Sequence, residues 1–185
     1  QPHFLYNVLL GIKQLCDSNP KKASEALEHL AFYMRRNLNS LTRKQLIPFD
    51  EEMCHVNDYL YLEKMRFEEK LTVVLDLEYT DFFLLAMTVQ PIAENAVRWG
   101  ITKKKGGGTL TIKSQLTGEE VMISVMDDGA GFDPNEIRND GKTHVGIENV
   151  RQRLMLQCGG TLSISSKKGS GTTVTIRLPQ KGRNK

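Results

Sequence analysis

One stretch of this 185-residue chain reads Val125-Met126-Asp127-Asp128-Gly129-Ala130-Gly131-Phe132, and it places a carboxylate and two spaced glycines at a strand end. Apolar and polar residues alternate from Val121 to Val125, which predicts a half-buried strand. Gly129 and Gly131 have no Cβ, so a flat ligand can approach the backbone there. The Asp127 carboxylate can accept a hydrogen bond from an exocyclic amine such as the adenine N6 group. The same residues also fit a tight turn with an acidic corner.

A second polar segment precedes this stretch and reads Gln90-Pro91-Ile92-Ala93-Glu94-Asn95-Ala96-Val97-Arg98-Trp99-Gly100. On a helix, Asn95 and Arg98 are three residues apart and share a face, adjacent to Glu94. The Asn95 amide oxygen can ligate Mg²⁺, and Arg98 can contact phosphate oxygens. A solvated polar face is the alternative interpretation of this helix.

Two glycine-containing segments follow the strand end. Gly146, in a segment that also contains Asn149, opens a predicted helix whose free N–H groups suit a phosphate. Gly169-Ser170-Gly171-Thr172 is a flexible turn that leads into a strand. Each segment alone fits a structural role, but the four segments in this order predict one nucleotide pocket.

The first third of the chain has helical periodicity. One apolar stripe is formed by Phe4, Leu5, Val8, Leu9, Ile12 and Leu15. Asn19-Pro20 predicts a new helix start or a kink, and Pro48-Phe49-Asp50-Glu51-Glu52 predicts another helix start. The helix after Pro48 carries a second apolar face with Tyr59, Leu62 and Met65, which predicts a bundle or a dimer interface.

After Lys70 the apolar period changes from helical to alternating. Strands and helices then follow each other in an order that predicts an α+β domain with helices on one face of a mixed sheet. We therefore expect a helical region over 1–70, a two-layer α/β sandwich over 71–180 and a short basic tail over 181–185.

Composition limits the classes of protein that need consideration. The chain is 39% hydrophobic and 25% charged, which is typical of a globular protein and excludes disorder. Lys and Arg total 25 against 22 for Asp and Glu, and the net charge of +3 is too small to indicate nucleic-acid binding. The three cysteines form no Cys-x-x-Cys pair, which fits a reducing compartment. Because the chain begins with Gln1, we expect a fragment whose upstream part, including any membrane anchor, is not seen.

The four segments resemble the N, G1, G2 and G3 boxes of the GHKL ATP-binding domain, a family that includes histidine kinases, gyrase-type topoisomerases, Hsp90 and MutL. Gln1-Pro2-His3-Phe4-Leu5-Tyr6-Asn7 resembles the phosphoacceptor box of LytS/YehU-type sensor histidine kinases. Two further segments, Tyr59–Phe67 and Gln90–Ala96, also resemble sequences typical of that family. The resemblance covers nearly the whole chain.

This resemblance implies a reaction and a set of partners. ATP and Mg²⁺ bind the α+β domain, His3 attacks the γ-phosphorus, and the phosphoryl group then passes to an aspartate of a response regulator. It also implies a homodimer and the cytoplasmic portion of a membrane-anchored bacterial sensor kinase, with no role for nucleic acid.

The resemblance assigns roles residue by residue. Asn95 corresponds to the metal-binding asparagine, Arg98 to the phosphate-contacting basic residue and Asp127 to the adenine-reading carboxylate. Glu94 is expected to orient a water or metal, or to polarise His3. Asn7 is expected to hydrogen-bond the imidazole and fix its tautomer. The remaining ATP-binding positions are Gly129, Gly131, Gly146, Asn149, Gly169, Gly171 and Thr172.

Several residues depart from the family pattern. Trp99 and His144 stand where the family usually has histidine and glycine, and Asp128 replaces the commoner asparagine. Leu84–Met87 replaces a proline-rich approach to the helix of Asn95, and the loop between Gly131 and Gly146 is short. The Trp99 and His144 departures give weight to a second hypothesis, an ATP-binding module with little kinase activity that acts as a scaffold or heterodimer partner.

A third hypothesis is a nucleic-acid-linked ATPase of the topoisomerase or MutL type. Those proteins carry a general-base glutamate four residues before the metal-binding asparagine, and Pro91 occupies that position here. This hypothesis therefore ranks below the other two.

Overall fold

A helical hairpin opens the chain in a computed structural model that describes residues 2–40, 46–133 and 145–180. Helix α1 spans Pro2–Ser18 and helix α2 spans Pro20–Ser40. Asn19 separates them, and its side-chain oxygen accepts the Lys22 N–H at 3.1 Å, so it caps α2 as its residue type favours. The predicted break before Pro20 is therefore a true helix boundary.

Helix α3, Phe49–Phe67, lies between this hairpin and the rest of the chain. Its first turn carries Asp50, Glu51 and Glu52, as expected at the positive end of a helix dipole. Tyr59 is buried, with its ring 5.4 Å from that of Phe4 in α1 and 6.2 Å from that of Tyr33 in α2.

The apolar face of α3 that we expected at a dimer interface is therefore covered within the chain. Leu62 is fully buried, and Met65 packs against the core with its Cε 3.1 Å from the position a Cβ would take on Gly11. Tyr59 and Leu62 are therefore not left exposed for a partner chain, and Met65 is only partly exposed. The bundle that the sequence offered as the alternative is the arrangement observed.

A mixed five-stranded sheet follows, in the order β2-β4-β5-β7-β6. Its strands are β2 (Leu71–Leu77), β4 (Gly108–Thr117), β5 (Glu120–Asp127), β6 (Thr161–Lys167) and β7 (Gly171–Pro179). The β2–β4 pair is parallel, and the other pairs are antiparallel. The buried residues Leu110, Ile112, Val121, Ile123, Val125, Val174 and Ile176 alternate along the strands. One face of the sheet is thus covered, and the predicted α+β class is confirmed.

The covering layer contains two helices. Helix α4, Gln90–Asn95, continues through a π-helical turn, Ala96–Gly100, and a 3₁₀ turn, Ile101–Lys103. Helix α5 spans Val145–Cys158.

A small antiparallel pair, β1 (Leu46–Pro48) with β3 (Phe83–Leu85), was not predicted from the sequence. Both strands are only three residues long, and β3 lies inside an apolar run without alternation.

The change from helix to strand falls after a short 3₁₀ turn at Glu68–Lys70, where the sequence pattern places it. The division of the chain into domains at residue 70 stays a prediction, and the predicted tail 181–185 lies outside the described residues. No helix among residues 2–40, 46–133 and 145–180 is both long and apolar enough to span a bilayer.

Candidate active site

Asp127 lies at the end of β5, opposite Thr172 of β7 in the antiparallel register. Its Oδ1 accepts the Gly129 N–H at 2.9 Å, and its carboxylate also accepts the Thr172 N–H. The residue is 8% exposed, and burial raises its pKa to about 6 although the two N–H groups oppose that shift. The result is a fixed acceptor carboxylate on the wall of a cavity.

This cavity brings Asp127 together with three other predicted site residues. Its lining is Asn95, Asp127, Gly131 and Thr172 with Ile92, Ala96, Trp99, Gly100, Val125, Phe132, Ile147 and Val174. The enclosed space is about 50 Å³, well below the roughly 300–1,000 Å³ of a complete ligand pocket.

The backbone is closely packed around Asp127 and Gly100, which both line the cavity. A Cβ on Gly129 would lie 2.2 Å from the carbonyl carbon of Gly100, and a Cβ on Gly100 would lie 2.3 Å from Asp127 Oδ1. Gly171 has φ +88°, and its Cβ would lie 1.9 Å from the Asp127 carbonyl oxygen. Gly100 was not singled out from the sequence, although it ends the helical segment that contains Asn95.

The last predicted glycine turn packs directly against the first. The N–H of Gly169 donates to the carbonyl of Ala130 at 2.6 Å, between Gly129 and Gly131. Gly169 itself is exposed and does not line the cavity, so it supports the wall from behind.

Asn95 ends α4 and lies beside the start of α5. A Cβ on Gly146 would lie 3.6 Å from the amide nitrogen of Asn95, so these two predicted residues are neighbours. Asn149, one turn further along α5, is exposed and is not among the cavity-lining residues. The structure thus brings Gly146 to the site and leaves Asn149 at its edge.

Arg98 does not share the cavity with Asn95, because the turn after Asn95 is π-helical rather than α-helical. A wider turn changes the angular spacing that places residues i and i+3 on one face. Arg98 instead lines a second cleft of about 770 Å³, with its guanidinium carbon 4.7 Å from the centre of the Trp99 ring. Arg98 is thus not among the residues that line the cavity with Asn95, and its contact with phosphate stays a prediction.

The second cleft also contains His3. Its charged and aromatic lining includes His3, Tyr59, Glu63, Arg66, Arg98, Trp99 and Lys103. Trp99 lines both this cleft and the Asp127 cavity, so the two are neighbours. Asn7 Nδ2 lies 2.9 Å from His3 Nδ1, which is the hydrogen bond that the four-residue spacing predicts.

Glu94 lies in neither lining. Its Oε1 accepts the Tyr33 hydroxyl at 3.2 Å and the Gln90 amide at 2.9 Å, and burial raises its pKa. These contacts join α2 to α4.

Glu63 and Arg66 were not predicted as site residues, yet both line the His3 cleft. Their side chains pair at 2.9 and 3.1 Å, and burial raises the pKa of Glu63 to about 7. The signal that could have found them is the Tyr59–Phe67 segment, which carries part of the family resemblance.

Two family models match the chain in tandem. One is described as histidine kinase and covers residues 1–71, and the other is described as histidine kinase-, DNA gyrase B- and HSP90-like ATPase and covers residues 80–182. The fold and the cavity thus define the catalytic core of a histidine kinase. The chain belongs to the sensor histidine kinase family, and its relatives agree with the LytS/YehU type.

Curated relatives are about one third identical to this chain over the aligned residues. The sensor protein LytS and the sensor histidine kinase YesM, both of Bacillus subtilis, are each 32% identical over 96% of the chain. YwpD of the same organism is 39% identical over 96% of the chain. The chain spans 32% of LytS, 31% of YesM and 66% of YwpD.

Solved structures support the fold. The histidine kinase domain of the Erythrobacter litoralis EL346 blue-light activated kinase superposes with a TM-score of 0.58 at 19% identity, covering 86% of this chain and 75% of that domain. The Acinetobacter baumannii histidine kinase AdeS superposes with a TM-score of 0.56 at 19% identity, covering 95% of this chain and 94% of the AdeS chain.

Proposed function

We propose that this chain is the catalytic core of a two-component sensor kinase that binds Mg-ATP, phosphorylates His3 and passes the phosphoryl group to an aspartate of a response regulator. One observation carries the proposal. Asn95, Asp127, Gly131 and Thr172 line one cavity, and Trp99 lines both that cavity and the cleft of His3 in the same chain.

Asp127 is the residue that reads adenine in this proposal. Its Oδ1 is occupied by the Gly129 N–H, which holds the carboxylate in place while a further lone pair faces the ligand. The apolar walls formed by Ile92, Val125 and Val174 suit the faces of a purine.

Asn95 is the residue that holds Mg²⁺ in this proposal. Among the described residues no cluster of three or more His, Cys, Asp or Glu could hold a metal ion by itself. The Asn95 amide oxygen is a single protein donor, which is what Mg²⁺ needs when substrate phosphates and waters supply its other ligands. When bound, the ion supplies charge neutralisation for the triphosphate.

His3 is the nucleophile, and Asn7 decides which ring nitrogen is free to attack. In the orientation shown, the Asn7 amide nitrogen donates to His3 Nδ1. If the Asn7 amide group is rotated by 180°, its oxygen accepts the proton on Nδ1, and the free lone pair is then on Nε2. A bond from the ring nitrogen to the γ-phosphorus then forms as the bond to the β–γ bridging oxygen breaks, and ADP leaves with that electron pair. Arg98 lines the same cleft and contacts the transferred group in this proposal.

The ATP-binding module with little kinase activity remains the second candidate, because Trp99 lines both cavities. Incubation with γ-labelled ATP and Mg²⁺ separates the two proposals. The kinase gives protein-bound label that is lost in acid and stable in base. Nucleotide binding without any such label would support the module, and DNA-stimulated hydrolysis without phosphoprotein would support the third hypothesis.

The affinity for ADP is expected to fall by roughly fourfold when the pH decreases from 7.5 to 5.5. The pKa of Asp127 is raised to about 6, so the carboxylate is ionised above that pH and becomes protonated below it. Protonation weakens the acceptor, since hydrogen bonds to ionised groups are the stronger ones. Titration calorimetry on wild type and Asp127→Asn separates this effect from protonation of ADP itself. An equally steep profile in the variant would contradict the assignment.

We also propose that the chain acts as a homodimer and belongs to the cytoplasmic side of a membrane-anchored sensor. Exposed apolar side chains on the hairpin support the dimer, namely Tyr6, Leu9 and Leu10 on α1 and Leu27, Met34 and Leu38 on α2. Such a stripe favours association because burial of apolar surface is favourable.

The double variant Leu9→Glu/Leu27→Glu is expected to raise the dimer dissociation constant at least about tenfold, because it places two charges in an apolar interface. Sedimentation equilibrium measures this constant. Leu116→Glu is the matched control, since Leu116 is an exposed leucine of β4. Equal dissociation constants for the double variant and wild type, or a monomeric wild type, would contradict the proposal.

A further inference from the structure

The loop that leads into α4 rests on a fully buried carboxylate of α3. Glu52 is 0% exposed, and its Oε1 accepts the backbone N–H groups of Thr88, Val89 and Gln90 at 2.9, 2.8 and 3.1 Å. Its Oε2 accepts the Met87 N–H at 3.0 Å. One side chain thus satisfies four consecutive donors at the start of the helix that carries Asn95.

A helix start does not need a residue from another element for this purpose. Serine, threonine, asparagine or aspartate at the residue before the helix usually provides the acceptor, but Val89 stands there and makes no side-chain cap. Burial raises the pKa of Glu52, and the four N–H groups oppose that shift. A buried carboxylate is a costly cap. Because Glu52 belongs to α3, its bonds to the start of α4 also fix the position of α4 relative to α3.

A second side chain holds the same loop from the other side. Arg153 of α5 donates to the carbonyl oxygens of Ala86 at 2.6 Å and Met87 at 3.2 Å. Between the two contacts, Met87 has φ +59°, a left-handed conformation that a non-glycine residue adopts at a cost. The backbone N–H groups of the loop are therefore hydrogen-bonded to Glu52 of α3, and two of its carbonyl groups to Arg153 of α5.

We infer that Glu52 and Arg153 are positioning residues, which fix the Asn95 helix relative to the phosphoacceptor helices on one side and to the Gly146 helix on the other. Helix α3 contacts α1 through Tyr59 and Phe4, the residue that follows His3. Gly146 opens α5 beside Asn95. The inference rests on the proposed function, because it assigns the consequence to the Mg²⁺ contact of Asn95.

Glu52→Gln is the informative variant because it keeps the side-chain volume and turns one acceptor into a donor that faces the Met87 N–H. We expect the gain in ADP affinity on adding Mg²⁺, measured by calorimetry in Mg²⁺ and in EDTA, to fall about fivefold or more. Affinity in EDTA should change less than twofold, because Asp127 lies on β5, outside the Glu52 contacts. Hydrogen exchange at the amides of residues 87–90 should become faster.

The second variant is Arg153→Gln, whose side chain is only half-buried, and it should reduce the Mg²⁺-dependent gain in the same direction. Asp50→Asn is the control, since Asp50 is an exposed carboxylate in the same helical turn. A full Mg²⁺-dependent gain in both variants, with faster exchange at residues 87–90, would overturn the inference and show a purely structural cap. If Glu52→Gln does not fold, Arg153→Gln alone decides. If the wild type binds no nucleotide, the proposed function is refuted instead. Hydrogen exchange at residues 87–90 would still report whether Glu52 and Arg153 hold this loop.

Discussion

His3→Gln is expected to lower acid-labile labelling from γ-labelled ATP by more than about 100-fold. Glutamine has the approximate size of histidine but lacks the ring nitrogen that attacks phosphorus, so the covalent step has no nucleophile. The other described histidines cannot easily replace it. His29 is hydrogen-bonded to Asp58 at 2.8 Å, and His55 is 4% exposed. Phosphoprotein is measured after electrophoresis at neutral to alkaline pH, where phosphohistidine is stable.

Nucleotide affinity in the same variant should stay within about twofold of wild type, because His3 lines a different cleft from Asp127. His29→Gln is the matched control, since it removes a half-buried histidine outside the cleft and should keep its label. Label that persists in His3→Gln at the wild-type level would show that another residue is phosphorylated. Label lost equally in both variants would point to a folding defect.

Asp127→Asn is expected to weaken ADP binding by roughly 10- to 100-fold. A hydrogen bond to a charged group contributes about 1.5–3 kcal/mol, and each 1.4 kcal/mol corresponds to a factor of ten in the dissociation constant. The asparagine amide can still accept the Gly129 N–H, but its NH₂ group then faces either the Thr172 N–H or the adenine amine as a second donor. Calorimetry with ADP measures the loss.

Asp128→Asn is the control for this second prediction, since it changes the neighbouring carboxylate. Asp128 points away from the cavity, where it accepts the Thr109 N–H at 2.7 Å and pairs with Lys104 at 3.5 Å. The affinity of the Asp128→Asn variant for ADP should remain within about threefold of wild type. Equal affinities of wild type and Asp127→Asn would show that adenine is not read at this position.

The sequence predicts the cavity well because its signals are local. A carboxylate at the end of an alternating strand and a glycine at a helix start depend on a few neighbouring residues. The antiparallel pairing that brings Asp127 opposite Thr172 follows once β5 and β7 belong to one sheet. The fold class could be predicted for the same reason, since the hydrophobic period changes once, near Lys70.

What the sequence does not predict depends on contacts between distant segments. The apolar face at Tyr59 and Leu62 requires a partner, but the pattern cannot tell whether that partner is α1 or a second chain. The cleft that Arg98 enters depends on a π-helical turn, which helical spacing does not reveal. The role of Glu52 likewise follows from a loop 35 or more residues away.

Residues that depart from the family pattern have specific places in the structure. Trp99 contributes to the lining of both cavities, with the Arg98 guanidinium over its ring. Leu84 and Leu85 form part of β3, so the segment that replaces the proline-rich approach pairs with β1 instead. His144 lies outside the described residues.

A crystal structure of the protein with Mg²⁺ and a non-hydrolysable ATP analogue tests the central claim most directly. The account predicts that the adenine amine lies within hydrogen-bonding distance of the Asp127 carboxylate, and that the Asn95 amide oxygen ligates the ion. A nucleotide bound with its adenine away from Asp127, or with Mg²⁺ held by residues other than Asn95, would contradict it.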